Sequence, residues 1–283
     1  MEKVKIIECP RDAMQGLHDF IPTQIKIDYI NGLLKSGFDT IDFGSFVSPK
    51  AIPQMKDTAE VLEGLIESDS KLLAIVANER GAVDACQHER IDFLGYPFSV
   101  SEEFQKRNTN STIDESFKRV EIIKELADKN NKEVVLYLSM GFGNPYGEEW
   151  HPDIVANWSE KLSTKLDINI QALSDTIGCA TTESVNDLFS TLIPTFSKIE
   201  FGAHLHTIPE NATNLVEAAY SGGCRRFDGA IKGFGGCPMA TNDLTGNMPT
   251  EKMLAWLNEN EINSGVNMDS FNESMKMALR IFP

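Results

Sequence analysis

Short apolar runs alternate with longer amphipathic segments along the chain, and the alternation repeats eight times. The apolar runs predict buried β-strands, and the amphipathic segments, about 10 to 15 residues long, predict α-helices. Strands that alternate with helices in this way form βαβ units and a parallel sheet. The predicted strands are 4–9, 39–44, 71–77, 91–99, 133–142, 168–175, 198–206 and 225–231, and the predicted helices are 23–37, 58–68, 79–89, 116–130, 154–166, 181–193, 211–223 and 250–260.

Eight such units within 283 residues indicate an α/β protein with a closed (β/α)₈ TIM barrel rather than an open sheet. We expect a single domain over residues 1–283, with an active-site loop at 233–248 after the eighth strand. An open doubly wound fold usually carries a phosphate-binding loop after its first strand. Here that turn reads CPRDAMQG, which matches neither GxGxxG nor GxxxxGK.

Polar residues follow the predicted strands at their carboxyl ends. In a barrel of this type the active site lies on that rim, because the strand ends and the loops after them meet there. The sequence therefore predicts one cluster of chemically capable side chains. Its members are Arg11, Asp12, Asp42, Ser45, Asp175, His204, His206, Cys237 and Asn247.

The pair His204 and His206 predicts a metal site. On a strand, residues i and i+2 project from the same face, so both imidazoles can reach one ion. The oxygen ligands offered nearby are Asp12 and the amide of Asn247, a set that suits Mg²⁺ or Mn²⁺. Cys237 leaves zinc open, and the alternative without metal is that both histidines fill the barrel mouth as hydrogen-bonded polar groups.

Arg11 and Asp12 have two interpretations at this stage. A pair of adjacent opposite charges is commonly a surface salt bridge, which contributes little to stability. At the end of a barrel strand, however, an arginine fork can hold a carbonyl oxygen that gains negative charge. Asp175 fits a carboxylate at a helix N-terminus as well as it fits a catalytic group.

Composition restricts the possible partners. The net charge of −16, with a pI near 4.7, repels nucleic acid and anionic membranes, so we exclude both as partners. An anionic small molecule remains compatible if local cations or a metal offset the field. The first residues carry no apolar signal-peptide core, and the five cysteines are scattered without CxxC spacing. We therefore expect a cytosolic protein with reduced thiols.

Six segments together resemble the 3-hydroxy-3-methylglutaryl-CoA lyase family, which belongs to the metal-dependent lyases and synthases built on a TIM barrel. They are CPRDAMQG, SFVSPKAIPQMKD, SVSEEFQKRN, SDTIG, HLH and GFGGCPMATNDLTGN, and the likeness runs from about residue 5 to residue 260. SFVSPK and GGCP are specific to the lyase branch, whereas RD and HxH are shared with related Claisen-type synthases and aldolases.

The resemblance implies cleavage of 3-hydroxy-3-methylglutaryl-CoA to acetyl-CoA and acetoacetate, with Mg²⁺ or Mn²⁺ as cofactor and a CoA thioester as partner. It implies that Arg11 stabilises the enolate of the leaving acetyl-CoA and that Cys237 protonates it. The metal ligands implied are Asp12, His204, His206 and Asn247. Asp42 and Asp12 join Arg11 and Cys237 as implied catalytic residues, and Arg11, Gln15, Ser45 and Asn108 are implied to lie at the substrate.

Three departures from the family pattern keep alternatives open. Asp42 stands where the family usually has glutamate, Thr207 and Ile208 replace its usual Asp-Thr, and Cys9 lies in a turn that is commonly richer in glycine. A related branched or shorter 3-hydroxyacyl-CoA is one alternative substrate. A Claisen-type acyl transferase or aldolase on the same scaffold, and a metal-binding barrel without catalysis, are the alternative functions. A homodimer is left open.

Overall fold

Eight parallel strands close into a barrel in the computed structural model, which describes residues 3–236 and 245–282. They are β1 (Lys5–Glu8), β2 (Thr40–Ser45), β3 (Lys71–Ile75), β4 (Phe93–Ser99), β5 (Glu133–Ser139), β6 (Ile170–Asp175), β7 (Glu200–Thr207) and β8 (Arg226–Gly229). Each strand pairs with the next along the chain, and β8 pairs with β1, where Lys5 lies opposite Arg226. This closure confirms the predicted (β/α)₈ barrel.

Helices surround the strands and bury their apolar faces against them. They are α1 (Pro10–Gln15), α2 (Thr23–Lys35), α3 (Thr58–Glu63), α4 (Glu79–Cys86), α5 (Glu102–Thr109), α6 (Ile113–Lys129), α7 (Pro152–Leu166), α8 (Thr182–Thr195), α9 (Ala212–Ser221), α10 (Thr250–Glu259) and α11 (Met268–Ala278). In the described part of the chain, no helix is long and apolar enough to cross a bilayer.

The eight predicted helices are all present, and three more were not predicted. One of the three, α5, has only Phe104 and Gln105 buried, so its sequence has no amphipathic repeat to detect. It begins where the hydroxyl of Ser101 accepts a hydrogen bond from the backbone N–H of Phe104. The predicted helix at 58–68 ends early, at Glu63, with Gly64 as its C-cap, because glycine is a poor helix former.

The barrel interior is apolar on one side and charged on the other. The apolar side is a cluster of its own, separate from the main core between strands and helices. On the charged side, Arg226 and Asp228 of β8 are 1% and 3% exposed. Arg226 extends across Gly202 of β7, where a Cβ would lie 3.1 Å from the arginine Cδ, so the glycine makes room for the guanidinium. The apolar cluster consists of Leu73, Ile75, Val135, Tyr137 and Ala172.

Glu8 fixes both ends of the chain segment that follows β8. Its carboxylate is fully buried and accepts hydrogen bonds from the backbone N–H of Ile231 at 2.9 Å and from the hydroxyl of Thr250 at 2.6 Å. Ile231 begins a short 3₁₀ turn, and Thr250 begins α10. Between them, a two-residue strand, β9 (Gly246–Asn247), pairs antiparallel with β7. Burial raises the pKa of Glu8 from 4.5 to about 8.

We predict that the contribution of Glu8 to stability falls as pH rises. Between pH 4.5 and about 8 the folded protein retains a proton that the unfolded chain has released, so the contribution is complete below pH 4.5 and is lost through pH 8. Glu8→Gln keeps a neutral group of the same shape. Its free energy of unfolding relative to wild type should therefore rise by a few kcal/mol over that interval, as measured by urea denaturation.

Glu133→Gln is the matched control, because Glu133 is exposed at the start of β5. Its unfolding free energy should follow the wild-type pH profile. A difference between Glu8→Gln and wild type that is constant with pH would show that Glu8 stays ionised throughout.

Candidate active site

The short helix α1, directly after β1, places Arg11 and Asp12 at the barrel mouth. Cys9 follows the strand as the N-cap of α1, Pro10 occupies the first position of the helix, and both charged residues lie in its first turn. They are only 7% and 6% exposed, so the surface salt bridge considered for this pair is wrong. The sequence suggested a loop here, whereas the structure has a short helix that directs both side chains inward.

Asp12, His204 and His206 form a group that can hold a metal ion. Their ligand atoms all lie within 4.8 Å of one another, and His204 Nε2 is 3.9 Å from an Asp12 carboxylate oxygen. The Nδ1 atom of His206 lies 3.0 Å from the carbonyl oxygen of Thr176, so this nitrogen carries the proton and donates. Its Nε2 is therefore an unprotonated acceptor, and it is buried with no hydrogen-bond partner in the described structure. A buried lone pair of this kind fits a metal ligand.

Asn247 lies next to this group. It pairs with His206 across the β7–β9 ladder, and its side-chain nitrogen donates to the carbonyl of Phe234 at 2.8 Å. Only the oxygen of such an amide coordinates a cation. The four residues predicted as metal ligands are thus brought to one place, although their role as ligands stays a prediction.

Burial and neighbouring charges favour the metal-binding protonation states of His206 and Asp12. Burial also lowers the pKa of His204, but Asp228 and Asp12 more than offset this and raise it. Burial, and then the neighbouring His204, lower the pKa of His206 to about 4, so that imidazole is neutral. Burial alone would raise the pKa of Asp12, but the charge of Arg11 and the histidines outweigh it and lower the pKa, so that carboxylate is ionised. Neutral imidazole and ionised carboxylate are the forms that coordinate a cation.

The guanidinium of Arg11 is held between two carboxylates. Its Nε donates to Asp42 at 3.1 Å, its Nη2 also donates to Asp42, and its Nη1 donates to Asp12 at 3.0 Å and to Gln15 at 2.9 Å. Burial lowers the pKa of Arg11, but Asp42 and Asp12 more than offset this and raise it. Burial raises the pKa of Asp42 to about 6, even though Arg11 opposes the shift. The aspartate side chain at position 42 is shorter than the glutamate usual in the family, yet its carboxylate reaches Arg11.

A pocket opens above these residues, with a polar and an apolar wall. Asn108 and Gln15 line it, as the sequence predicted for residues near a substrate. Ser45, which was also predicted to lie near the substrate, does not line the pocket. Its hydroxyl donates to the carbonyl of Ile75 and accepts from the N–H of Val47. The polar wall comprises Arg11, Asp12, His204 and His206, and the apolar wall comprises Val47, Ile52, Ile75, Phe104 and Tyr137.

One predicted site residue has other surroundings, and another lies outside the described part of the chain. Asp175 accepts hydrogen bonds from the backbone N–H groups of Cys179 and Ala180, which is the loop and helix-start role that the sequence left open. Cys237 lies outside the described residues.

Sequence reasoning also missed Asp228, which lies 3.1 Å from His204 Nδ1. The signal was available, since Arg226 and Asp228 are charged residues at alternate positions of a strand that is otherwise apolar.

Comparison with known proteins identifies the family. The family model described as HMGL-like matches residues 3–277. The chain belongs to this family. It is 32% identical over 277 residues to the mitochondrial hydroxymethylglutaryl-CoA lyase of Macaca fascicularis, an alignment that covers 96% of this chain and 84% of the relative.

Two further relatives bear on the substrate. The 3-hydroxy-3-isohexenylglutaryl-CoA/hydroxy-methylglutaryl-CoA lyase of Pseudomonas aeruginosa is 31% identical over 268 residues, which cover 94% of this chain and 89% of that protein. Among solved structures, an HMG-CoA lyase from Acinetobacter baumannii in complex with coenzyme A and 3-methylmalate superimposes with a TM-score of 0.90 at 30% identity, covering 99% of this chain and 91% of that one.

We predict that Mn²⁺ stabilises the folded protein through His206. A ligand that binds only the folded state at 100 times its dissociation constant adds about 2.7 kcal/mol, which thermal unfolding followed by circular dichroism would detect. His206→Ala should lose most of this gain, because the buried Nε2 has no substitute. His18→Ala is the control, since His18 is fully exposed. Equal stabilisation of all three proteins would exclude His206 as a ligand.

Proposed function

We propose that this protein cleaves 3-hydroxy-3-methylglutaryl-CoA to acetyl-CoA and acetoacetate. The reaction breaks the bond between C2 and C3, removes the proton of the tertiary hydroxyl and adds a proton to the enolate carbon that becomes the methyl group of acetyl-CoA. The observation that carries the proposal is the buried Asp12–His204–His206 group beside Arg11 at the floor of a pocket. Support comes from relatives named as lyases for this substrate, one solved with coenzyme A bound.

Asp12, His204, His206 and Asn247 would hold a divalent cation, Mg²⁺ or Mn²⁺, because two imidazoles with carboxylate and amide oxygens suit these ions. When bound, such an ion acts as a Lewis acid that makes the tertiary hydroxyl of the substrate more acidic. The chain itself keeps His206 neutral by burial and keeps Asp12 ionised by the proximity of Arg11. The site is therefore set up for a cation before substrate arrives.

Arg11 would stabilise the negative charge that develops on the thioester oxygen. A guanidinium has five N–H groups, and four are engaged by Asp42, Asp12 and Gln15. One N–H of Nη2 remains for the substrate, and Arg11 lines the pocket. Because the two carboxylates fix the fork before the reaction, it need not reorganise as the charge forms.

Cys237 would donate the final proton. A thiol has a reference pKa of about 8.5 and is mostly protonated at neutral pH, so it can act as an acid toward an enolate. Its segment follows β8, and the start of that segment is fixed next to the metal group by Glu8, Phe234 and Asn247. The glycines around it allow close approach to the substrate.

A second candidate substrate carries a longer alkyl group at C3. The apolar wall of the pocket, which includes Ile52, Ile75 and Phe104, offers contacts that a methyl group alone does not fill. The Pseudomonas aeruginosa relative is named for both a methyl and an isohexenyl substrate. Both candidates use the same bond cleavage and the same catalytic residues.

The proposed activity predicts metal-dependent release of acetyl-CoA. Enzyme treated with a chelator and dialysed should have no turnover, and Mg²⁺ or Mn²⁺ should restore it, with both products quantified by mass spectrometry. Comparison with a substrate analogue that is longer at C3 ranks the two candidates by kcat/KM. Full activity in metal-free enzyme would contradict the ligand assignment, and acyl transfer without cleavage would instead indicate a Claisen-type transferase.

Arg11→Lys should lower kcat by about 10²–10³, because a lysine ammonium cannot reproduce the fork that holds Asp42 and the substrate oxygen. The effect should fall on kcat more than on KM, since the charge develops in the transition state. Arg90→Lys is the matched control. Arg90 holds backbone carbonyls at residues 62, 65 and 66, away from the pocket, so its kcat should match wild type. A change in KM alone would make Arg11 a binding residue only.

A further inference from the structure

We propose that Asp228 is a positioning residue that fixes the ring tautomer and orientation of His204 for metal binding. The inference rests on the metal site of the proposed function and assigns a role to a buried residue that has none in the proposed cleavage. Asp228 lies on β8, and His204 lies on the neighbouring strand β7. The contact between them joins the barrel interior to the proposed metal site.

The hydrogen bond determines which nitrogen of His204 is available. His204 Nδ1 lies 3.1 Å from Asp228 Oδ2, and an ionised carboxylate can only accept. In the neutral ring, the proton therefore resides on Nδ1, which leaves a lone pair on Nε2. That atom faces Asp12, 3.9 Å from its carboxylate oxygen. A carboxylate behind a histidine in this way orients the ring and makes the free nitrogen a stronger ligand.

Burial and ring packing restrict the Asp228–His204 pair. It is 3% exposed, and Arg226, two residues earlier on the same face of β8, brings a buried positive charge into the interior. The guanidinium of Arg226 pairs with Glu200, whose carboxylate oxygen lies 3.8 Å from Nη1, and Asp228 Oδ1 has no hydrogen-bond partner in the described structure. The contact of Asp228 with His204 is therefore made by its other oxygen, Oδ2. Tyr137 packs edge-on against the His204 ring, with centroids 5.2 Å apart, and restricts its rotation.

A competing interpretation makes Asp228 itself a metal ligand. Cys9, His204 and Asp228 also have ligand atoms within 4.8 Å of one another. This group, however, lies on the interior side of His204, whereas His204, Asp12 and His206 line the pocket and Cys9 and Asp228 do not. A cation that meets substrate must lie on the pocket side, and there Asp228 can act only through the imidazole.

Three variants separate these interpretations. Asp228→Ala removes the acceptor, Asp228→Asn keeps an acceptor oxygen without the charge, and Cys9→Ala alters the other neighbour of the alternative site. Mn²⁺ affinity is measured by isothermal titration calorimetry on metal-free protein. The tautomer of His204 is read from the ¹⁵N shifts of its ring nitrogens, assigned with His204→Gln. Circular dichroism of each metal-free variant reports folding.

We expect Asp228→Ala to weaken Mn²⁺ binding by about 10–100-fold, Asp228→Asn by less, and Cys9→Ala by less than twofold. In Asp228→Ala the ring proton of His204 should move in part from Nδ1 to Nε2. If Asp228→Ala does not fold, a smaller weakening in Asp228→Asn with unchanged Cys9→Ala supports the proposal. Affinity within twofold of wild type in both Asp228 variants overturns it, as does an equal loss in Cys9→Ala.

These measurements use no substrate, so they separate two failures. If wild type binds no Mn²⁺, the metal site of the proposed function is wrong and this inference falls with it. If wild type binds Mn²⁺ but cleaves no CoA thioester, the lyase proposal fails and the role of Asp228 stands on the affinities alone.

Discussion

Burial of charge at the barrel mouth is the constraint on which the site depends. Asp12, Asp42 and Asp228 are each at most 6% exposed, and a carboxylate out of water is costly unless it has partners. Arg11 is shared by the first two, and His204 is bonded to the third. The same contacts that offset the cost of burying these carboxylates therefore fix the orientation of the Arg11 guanidinium and of the His204 imidazole. Stability and site geometry have one cause here.

The overall charge of −16 also bears on how an anionic substrate would be recognised. An acidic chain repels a negatively charged thioester at long range, so the attraction must be local. Among the described residues of the pocket, Arg11 supplies the cation, and the Asp12–His204–His206 group can add a divalent one. Salt weakens the repulsion between the substrate and exposed charges of the protein far more than it weakens contacts with the buried groups at the pocket floor. Recognition would then be governed by the site rather than by the surface.

The sequence predicted the barrel because the alternation of strands and helices is a long-range pattern that survives local irregularity. It also predicted that Arg11, Asp12, His204, His206 and Asn247 come together, since strand ends share one rim. It missed α5, whose face is almost wholly polar, and α1, which is too short to show a period. The position of Ser45 outside the pocket lining could not be predicted from spacing, because the face on which a strand residue lies follows from the register of the strand. Asp228 could have been found, because charged residues alternate along the short strand β8.

An anomalous diffraction map of a crystal soaked in Mn²⁺ tests the central claim most directly, because it locates the cation without reference to turnover. The account predicts one strong peak on the pocket side of His204, within about 2.0–2.3 Å of its Nε2, of His206 Nε2 and of an Asp12 oxygen. The Asp228 carboxylate should remain bonded to His204 Nδ1 behind it. A peak between Cys9 and Asp228, or none near either histidine, would contradict the account.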